Sequence, residues 1–435
     1  MSPLPAVEPM PPRAAGVLPW LGAGLGLLRD PTAHLVRLRA RLGDTFVLDG
    51  LGYRLCFVFS PAGVRALYAV PEQQASFGLA TFELVMKRKI PLELAMGRRN
   101  LPHDLFKNPD VETYLEHLEA AMQLEMDELG AHGRFEAFAE AKRLGYRLGL
   151  AAWAGSEAAS ARFLPALISA FERLDTADSF VRPLSTAWSM ATRKRREWRA
   201  MREIEGVFHS ILEERRASGR RPGDFLDQIE ASFADVALPD RDVQVARDLM
   251  VLQMGAQSNL FAALAWTLVN LLLDPELLAR VAAGDDDLLE RSAHESIRLA
   301  QRSLTLRRVL QPLDVTVETG THRLAPGVFL ATMLSVNNSS VAPGLERFDP
   351  DHYAGRRLAD AVAPSTRELV STFGHGRHSC PAQRFSISAI RIAVRRLLER
   401  YELTPGFRSA EPRTRQIGGV ARAARACPID YRARS

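Results

Sequence analysis

The chain has 435 residues, 47% of them hydrophobic, and a formal charge of +5 from 56 basic and 51 acidic residues. That length and apolar share are ample for a large core, and neither of the two longest apolar stretches has the character of a membrane span. The three cysteines, Cys56, Cys380 and Cys427, are odd in number and far apart, which excludes a disulfide framework and a Cys/His zinc cluster and fits a reducing cytoplasm.

Residues 1–20 are Pro-rich and read as an N-terminal arm. The apolar stretch Ala14–Leu28 holds Pro19 and four glycines, so it is too broken to span a bilayer. Thr45–Phe59 alternates apolar and polar residues, with Tyr53, Leu55, Phe57 and Phe59 on one face. This predicts a hairpin with Asp49, Gly50 and Gly52 at its turn. Short helices and loops are expected over 60–110, and helical periodicity runs from about Pro109 to Leu212, as in Tyr114–Leu129. Ser218–Asp224 is a turn-rich break. A long helix is predicted from about Asp242 to Leu273, stopped by Asp274-Pro275. Its Gln253, Gln257, Ser258, Asn259 and Asn270 make a lipid-facing span costly, so it reads as a central buried helix. A helix over Asp286–Gln301 comes next, then short strands over 304–336 and a loop to about Ser379. A last helix is predicted from Pro381 to Tyr401. The basic runs Arg193–Arg196 and Arg220–Arg221 are interleaved with acids and lack an aromatic-basic stripe, which argues against nucleic-acid binding. Solvated helix faces, or a patch for an acidic protein partner, fit them better.

The segment Phe373-Gly374-His375-Gly376-Arg377-His378-Ser379-Cys380-Pro381-Ala382 carries the chemistry. Two glycines permit a tight backbone that can approach a flat cofactor. Pro381 is a favoured first helical residue, and a cysteine at a helix N-terminus has its pKa lowered by the dipole. Neighbouring backbone N–H groups can hydrogen-bond the sulfur.

This stretch resembles the haem-ligand loop of the cytochromes P450, Phe-Gly-x-Gly-x-Arg/His-x-Cys-x-Gly, with Ala382 where the family usually has Gly. The order of segments extends the resemblance over nearly the whole chain, and the bacterial soluble type is the better match. It implies a mainly α fold with minor β: one helix-rich, triangular cytochrome P450 domain over residues 1–435, with a small β region. It implies haem b as cofactor, with Cys380 as axial iron ligand and Phe373 and Gly374 beside it. A thiolate ligand pushes electron density onto the iron and favours O–O cleavage. His378 and Arg308 match the family's propionate contacts, with Arg307 the competing choice for the second. His103 and Lys107 resemble the family's early His-x-x-x-Arg, with Lys in place of Arg. Glu295-Ser296-Ile297-Arg298 is its Glu-x-x-Arg, and Leu345-Glu346-Arg347-Phe348 resembles its Pro-Glu-Arg-Phe. Glu295, Arg298 and Arg347 would form a buried charged triad that locks the cysteine loop, a geometry suited to bidentate Arg–carboxylate bonding.

The central helix departs from the family. Anchored on Trp266, the usual acid-Thr pair falls on Ser258 and Asn259, preceded by Gln257. An amide donates hydrogen bonds but does not relay a proton as a hydroxyl does. The Gln-x-Asn pattern is similar to the branch containing cholesterol 7α-hydroxylase, an oxygenase, and prostacyclin synthase, an isomerase that needs neither O₂ nor electrons. By resemblance the pocket is lined by Phe77–Val85, the region near Phe180, the central helix, Ser303–Thr305 and Ile417–Val420, with Ser76, Thr81 and Glu83 as polar orienters. These segments are mainly apolar and suit a hydrophobic small molecule such as a terpenoid, steroid, polyketide or fatty acyl chain. A ferredoxin or flavodoxin, fed by its own reductase, is the implied electron donor, docking where Arg377, Arg384, Arg391, Arg395 and Arg396 cluster. The expected activity is haem-thiolate monooxygenation in the cytoplasm. The alternatives are an electron-independent haem-thiolate isomerase, dehydratase or peroxygenase, and a haem-free ligand-binding protein on the same fold.

Overall fold

The computed structural model describes residues 6–14, 16, 22–50, 52–87, 89–96, 99, 106, 111–175, 183–354, 358 and 366–434. It is 55% helical and 16% strand, the mainly α composition with a small β part that the sequence implies. Its strands are β1 Val7–Glu8, β2 Arg13–Ala14, β3 Thr45–Gly50, β4 Tyr53–Val58, β5 Ala75–Ser76, β6 His132–Glu136, β7 Leu304–Val309, β8 Leu313–Val317, β9 Gly320–Leu324, β10 Phe329–Met333, β11 Tyr401–Pro405 and β12 Pro428–Ala433. The chain forms two compact units that interleave in sequence. One comprises Met1–Met86, His294–Cys380 and Pro412–Ala424, the other Lys87–Ala293, Pro381–Glu411 and Arg425–Ser435.

The first unit is built on a six-stranded sheet in the order β2-β3-β4-β10-β7-β5 and a three-stranded sheet β1-β9-β8. Part of the N-terminal arm is thereby tied down, because β1 pairs with β9 and β2 with β3. The hairpin forms, but Asp49 and Gly50 belong to strand β3 rather than to its turn. Gly52, at φ 83°, takes the left-handed turn position that favours glycine. Asp49 stays in the strand because Arg54, paired across the hairpin, grips its carboxylate at 2.7 and 2.9 Å. The sheet is buried on both faces. Phe46, Leu48, Leu55, Phe57 and Phe59 fill one side; Val47, Cys56 and Val58 fill the other. The aromatic face the sequence singles out is therefore only half of the buried surface.

The second unit centres on the helix Asp240–Leu273, which starts two residues earlier than its periodicity suggests, with Asp240 and Asp242 in the first turn, favourable to the helix dipole. It is long and apolar enough to cross a membrane, yet 72% of its most apolar window is buried inside the protein, as expected of a core helix. Trp153 joins it to the helix Gln383–Arg400: its indole N–H donates to Gln253 Oε1 at 2.9 Å, and its ring lies 5.1 Å from Phe385. Trp266, one face further on, packs edge-on against Phe138 at 5.3 Å. A third sheet, β11-β12-β6, closes this unit; the helical reading of 109–212 missed β6.

Candidate active site

Three cysteines offer three thiols, and burial separates them. Cys56 and Cys427 are 1% exposed, and desolvation pushes their pKa values up to about 12 and about 11. Such thiols are inert. Cys380 alone is half-buried, at the end of a loop with a surface to offer. The loop turns on Gly374 at φ 76° and Gly376 at φ 57°. A Cβ on Gly374 would meet the His378 carbonyl oxygen at 2.2 Å, so no larger residue fits that turn. The Cys380 N–H closes the loop on the Phe373 carbonyl at 2.6 Å. A sulfur presented on a tight, glycine-turned loop fits the demands of a flat haem with one thiolate ligand. Cys380, with Phe373 and Gly374 shaping its loop, would hold the iron. The helix dipole that the sequence places at Cys380 does not start there. The last helix begins at Gln383 with Ala382 as its cap, so Pro381 is not its first residue and Cys380 stands three residues before the helix. A short 3₁₀ turn, Gly376–His378, precedes the cysteine instead.

The lock behind this loop differs from the predicted triad. Glu295 and Arg298 are both fully buried and pair bidentately, Nε to Oε2 at 2.7 Å and Nη2 to Oε1 at 2.6 Å. Arg347 is not the third member. Its side chain is 80% exposed and lies 3.8 Å from Glu346, and only its backbone carbonyl reaches Arg298. His352 takes the place: its Nδ1 lies 3.0 Å from Glu295 Oε1, beside the Asp349 N–H at 3.1 Å. The segment that matters is Pro350-Asp351-His352-Tyr353, five residues after the expected one. A basic third residue inside a Pro-acid-basic-aromatic run was the available sequence clue.

From Arg298 the lock continues to the cysteine loop through residues that no sequence motif marks. Arg298 Nη1 donates to the carbonyls of Asn338 and Leu345. Asn338 is held by both ends of its amide, donating to the Arg298 and Ser371 carbonyls and accepting the Ser371 N–H at 2.9 Å. Ser371 Oγ then accepts the Gly374 N–H at 2.9 Å. Every step is buried or nearly so, which gives each hydrogen bond low competition from water. His294 adds an aromatic brace: its ring stacks on Tyr353 at 5.2 Å and meets Phe373 edge-on at 5.7 Å. Burial drives its pKa down to about 4, so it stands neutral.

The cationic candidates sort by exposure. Arg307 is 1% exposed and turns to the Ala75 and Tyr68 carbonyls, a structural role. Arg308, on the opposite face of the strand, is 33% exposed and pairs with Glu83 at 2.7 Å. It is the fifth residue of β7. Glu83 and Ser76 are thus engaged internally, Ser76 Oγ by Glu72 at 2.6 Å, and are not free to orient a substrate. His378 packs against Phe77 at 5.3 Å. His103, Lys107 and Phe180 lie outside the described residues. Two predicted pocket segments do meet: Gly419 N–H donates to Ser303 Oγ at 3.0 Å, and Arg302 and Gly418–Gly419 exchange backbone bonds.

On the central helix, Asn259 and Gly255 share an exposed face, Ser258 is half-buried and Gln257 is buried. Among the described residues Gln257 Oε1 has no hydrogen-bond partner, nor has Gln253 Nε2 one turn earlier. No carboxylate or threonine occupies residues 255–260.

With this geometry in hand, comparison with known proteins defines the class. The cytochrome P450 family profile matches residues 164–425, more than half of the chain. Lanosterol 14-alpha demethylase of Bos taurus is 28% identical over 53% of this chain and 48% of its own length. The 24-hydroxycholesterol 7-alpha-hydroxylase of Mus musculus is 22% identical over 98% of this chain and 93% of its own. Lanosterol 14-alpha demethylase of Mus musculus is 22% identical over 92% and 83%. The chain belongs to the cytochrome P450 family; it is a haem b-dependent oxidoreductase of the monooxygenase type.

Proposed function

We propose that this enzyme oxidises an apolar small molecule with Cys380 as the axial ligand of its haem iron. Bound haem supplies O₂ activation with two electrons, one oxygen atom passing to the substrate and the other to water. The observation that carries the assignment is Cys380 itself, half-exposed where the other two thiols are buried, on a loop braced through Ser371 and Asn338 by the buried Glu295–Arg298 pair. His378 and Arg308 are the propionate partners in this reading; His103 and Lys107 would complete them. Gln257, Ser258 and Asn259 would supply the polar groups that handle protons and water in this reading. The substrate is of terpenoid, steroid, polyketide or fatty acyl type, as in secondary metabolism, and the sterol chemistry in the names of the similar proteins supports the polycyclic end of that range. Electrons come from a ferredoxin or flavodoxin with its reductase, in the cytoplasm of a bacterial-type host.

The test is the absorption spectrum of the purified protein, reduced with dithionite under carbon monoxide. A strongly red-shifted Soret band, lost in Cys380→Ser and retained in Cys56→Ser and Cys427→Ser, is expected. A haem-free protein from haem-replete cells, or a band of imidazole or thiol ligation, overturns the assignment. A second reading, an electron-independent isomerase, dehydratase or peroxygenase, rests on the missing acid-Thr pair at Ser258 and Asn259. Turnover of an organic hydroperoxide without any reductant, faster than turnover with O₂ and a reductase, would select it.

A further inference from the structure

We propose that Arg302 is the recognition site for a carboxylate, which makes the substrate an apolar carboxylic acid. This rests on the reading of the enzyme as an oxidase of apolar small molecules, and narrows it. Arg302 stands where two pocket segments join, directly after the helix Asp286–Ala300 and directly before Ser303–Thr305. Its backbone is fixed on both sides: its N–H donates to the Gly419 carbonyl at 2.7 Å, and its carbonyl accepts the Gly418 N–H at 2.9 Å. Gly418 and Gly419 turn at φ 94° and 62°, the left-handed conformation that favours glycine. Gln301 holds the chain alongside. Its Oε1 accepts the Arg302 and Ser303 N–H groups, each at 3.2 Å, and the Ser303 hydroxyl at 2.9 Å. The base of the Arg302 side chain is therefore preorganised, which lowers the ordering cost of binding. A Cβ on Gly418 would meet nothing within 4 Å, so open space adjoins the turn.

The guanidinium is only half engaged. Nη1 donates to the Leu299 and Gln301 carbonyls, both at 2.9 Å, and so caps the helix end. Nε and Nη2, the edge that takes a carboxylate side-on, have no hydrogen-bond partner among the described residues, and Arg302 is half-buried rather than sealed. Among the described residues it forms no ion pair, whereas its neighbours Arg298 and Arg307 have Glu295 and Glu72. The carboxylate that does act on it, Asp30, is engaged elsewhere: its Oδ1 accepts the Ala33 N–H at 2.9 Å and caps the helix Pro31–Leu42. Burial lowers the Arg302 pKa, and the Asp30 charge opposes that shift only in part. A desolvated cation without a counter-charge costs stability, and capping a helix needs only one of its edges. The second edge is complementary to a planar anion. Leu304, Ile417 and Val420 beside it are apolar, so the anion that fits is the polar end of a hydrocarbon body.

The test is isothermal titration calorimetry of the full-length haem protein with hexadecanoic acid and with a steroid carboxylic acid, each beside its methyl ester. The parent should bind at least one acid about tenfold or more tighter than its ester, the worth of a charge-assisted pair. Arg302→Gln should bind that acid no better than the ester, with ester affinity changed by no more than about twofold. Arg302→Lys keeps a cation and a helix cap but not the side-on pair, so it should recover only part of the preference. Retained circular dichroism shows that the variants are folded. No preference for either acid in the parent, or an equal preference in Arg302→Gln, overturns the proposal. So does loss of acid and ester binding together in folded Arg302→Gln, the mark of a helix cap that merely shapes the pocket. The carbon monoxide spectrum keeps the two readings apart. A red-shifted Soret band without acid preference overturns this inference and leaves the role of Cys380 standing; a missing band beside a clear acid preference overturns the functional reading and leaves Arg302 as a carboxylate site.

Discussion

Arg298 and Gln257 are both polar and both buried, and their partners set them apart. Arg298 spends its guanidinium donors on Glu295 and on the carbonyls of Asn338, Leu345 and Arg347. Removing its counter-charge by Glu295→Ala strands a buried cation and should cost about 3–5 kcal/mol in urea unfolding. Arg347→Ala, by contrast, removes a solvated side chain and should change stability by no more than about 0.5 kcal/mol. If the two variants were equally damaging, the assignment of His352 rather than Arg347 to the lock would fail. Gln257 presents the opposite case, a buried acceptor with no partner among the described residues. Gln257→Leu should leave stability unchanged or raise it by about 1 kcal/mol, since it removes a desolvated oxygen. Gln253→Leu should lower stability by about 1–3 kcal/mol, since it strands the Trp153 N–H. A polar group retained at the expense of stability belongs to function. Gln257→Leu is therefore expected to turn over less substrate per electron consumed, measured as product against reductant oxidised, while unfolding no earlier than the parent.

At the scale of elements, the cysteine loop is held by an aromatic stack whose middle member can titrate. His294 lies between Tyr353 and Phe373, its Nδ1 sealed and without a partner among the described residues. Its pKa falls from an ordinary 6.5 to about 4 in the folded protein, because burial disfavours the charged ring. The unfolded chain therefore binds the proton first. Stability from this group is complete above pH 6.5 and drains as pH falls toward 4, by up to about 3 kcal/mol. His294→Phe should flatten the difference between unfolding curves taken at pH 7 and pH 4.5; an unchanged difference would show that the ring is accessible to protons. The elements themselves were legible to unequal degrees. The helix at 240–273, the Glu-x-x-Arg helix and the strands after residue 304 follow from periodicity, because one local pattern specifies each. Strands β6, β11 and β12 do not, because each is defined by a partner far along the chain, as Phe135 is by Ile429. Cys380 was legible because its loop is contiguous in sequence. The lock was legible only as far as Glu295 and Arg298, two residues three apart on one helix. Asn338, Ser371 and His352 join through side-chain bonds across intervals of 33 to 57 residues, and no spacing rule encodes those. Arg347 matches the motif only by likeness, and its exposed side chain stands outside the lock.

Across the whole molecule, a net charge of +5 says little until it is known which cations are already answered. The arginines expected to greet an acidic electron donor are largely answered. Arg391 lies 3.3 Å from Glu290, Arg395 pairs with Asp286, and Arg396 pairs with Glu119 at 2.8 Å. Their field at a distance is cancelled by carboxylates on neighbouring helices, so they steer an approaching anion weakly. Arg377 is different: it is exposed, three residues before Cys380, and forms no ion pair among the described residues. Reversing a rim charge acts on association rate and its salt dependence, not on the bound state. Arg377→Glu is therefore expected to slow reduction by an acidic ferredoxin about tenfold at low salt, with the deficit closing as salt screens it. Arg396→Glu should barely alter that rate and should instead lower the unfolding midpoint, because it sets a carboxylate against Glu119 and Glu399. Stopped-flow reduction at two ionic strengths separates the two effects. A large, salt-sensitive loss in Arg396→Glu with none in Arg377→Glu would return the docking face to the last helix and overturn the assignment made from these ion pairs.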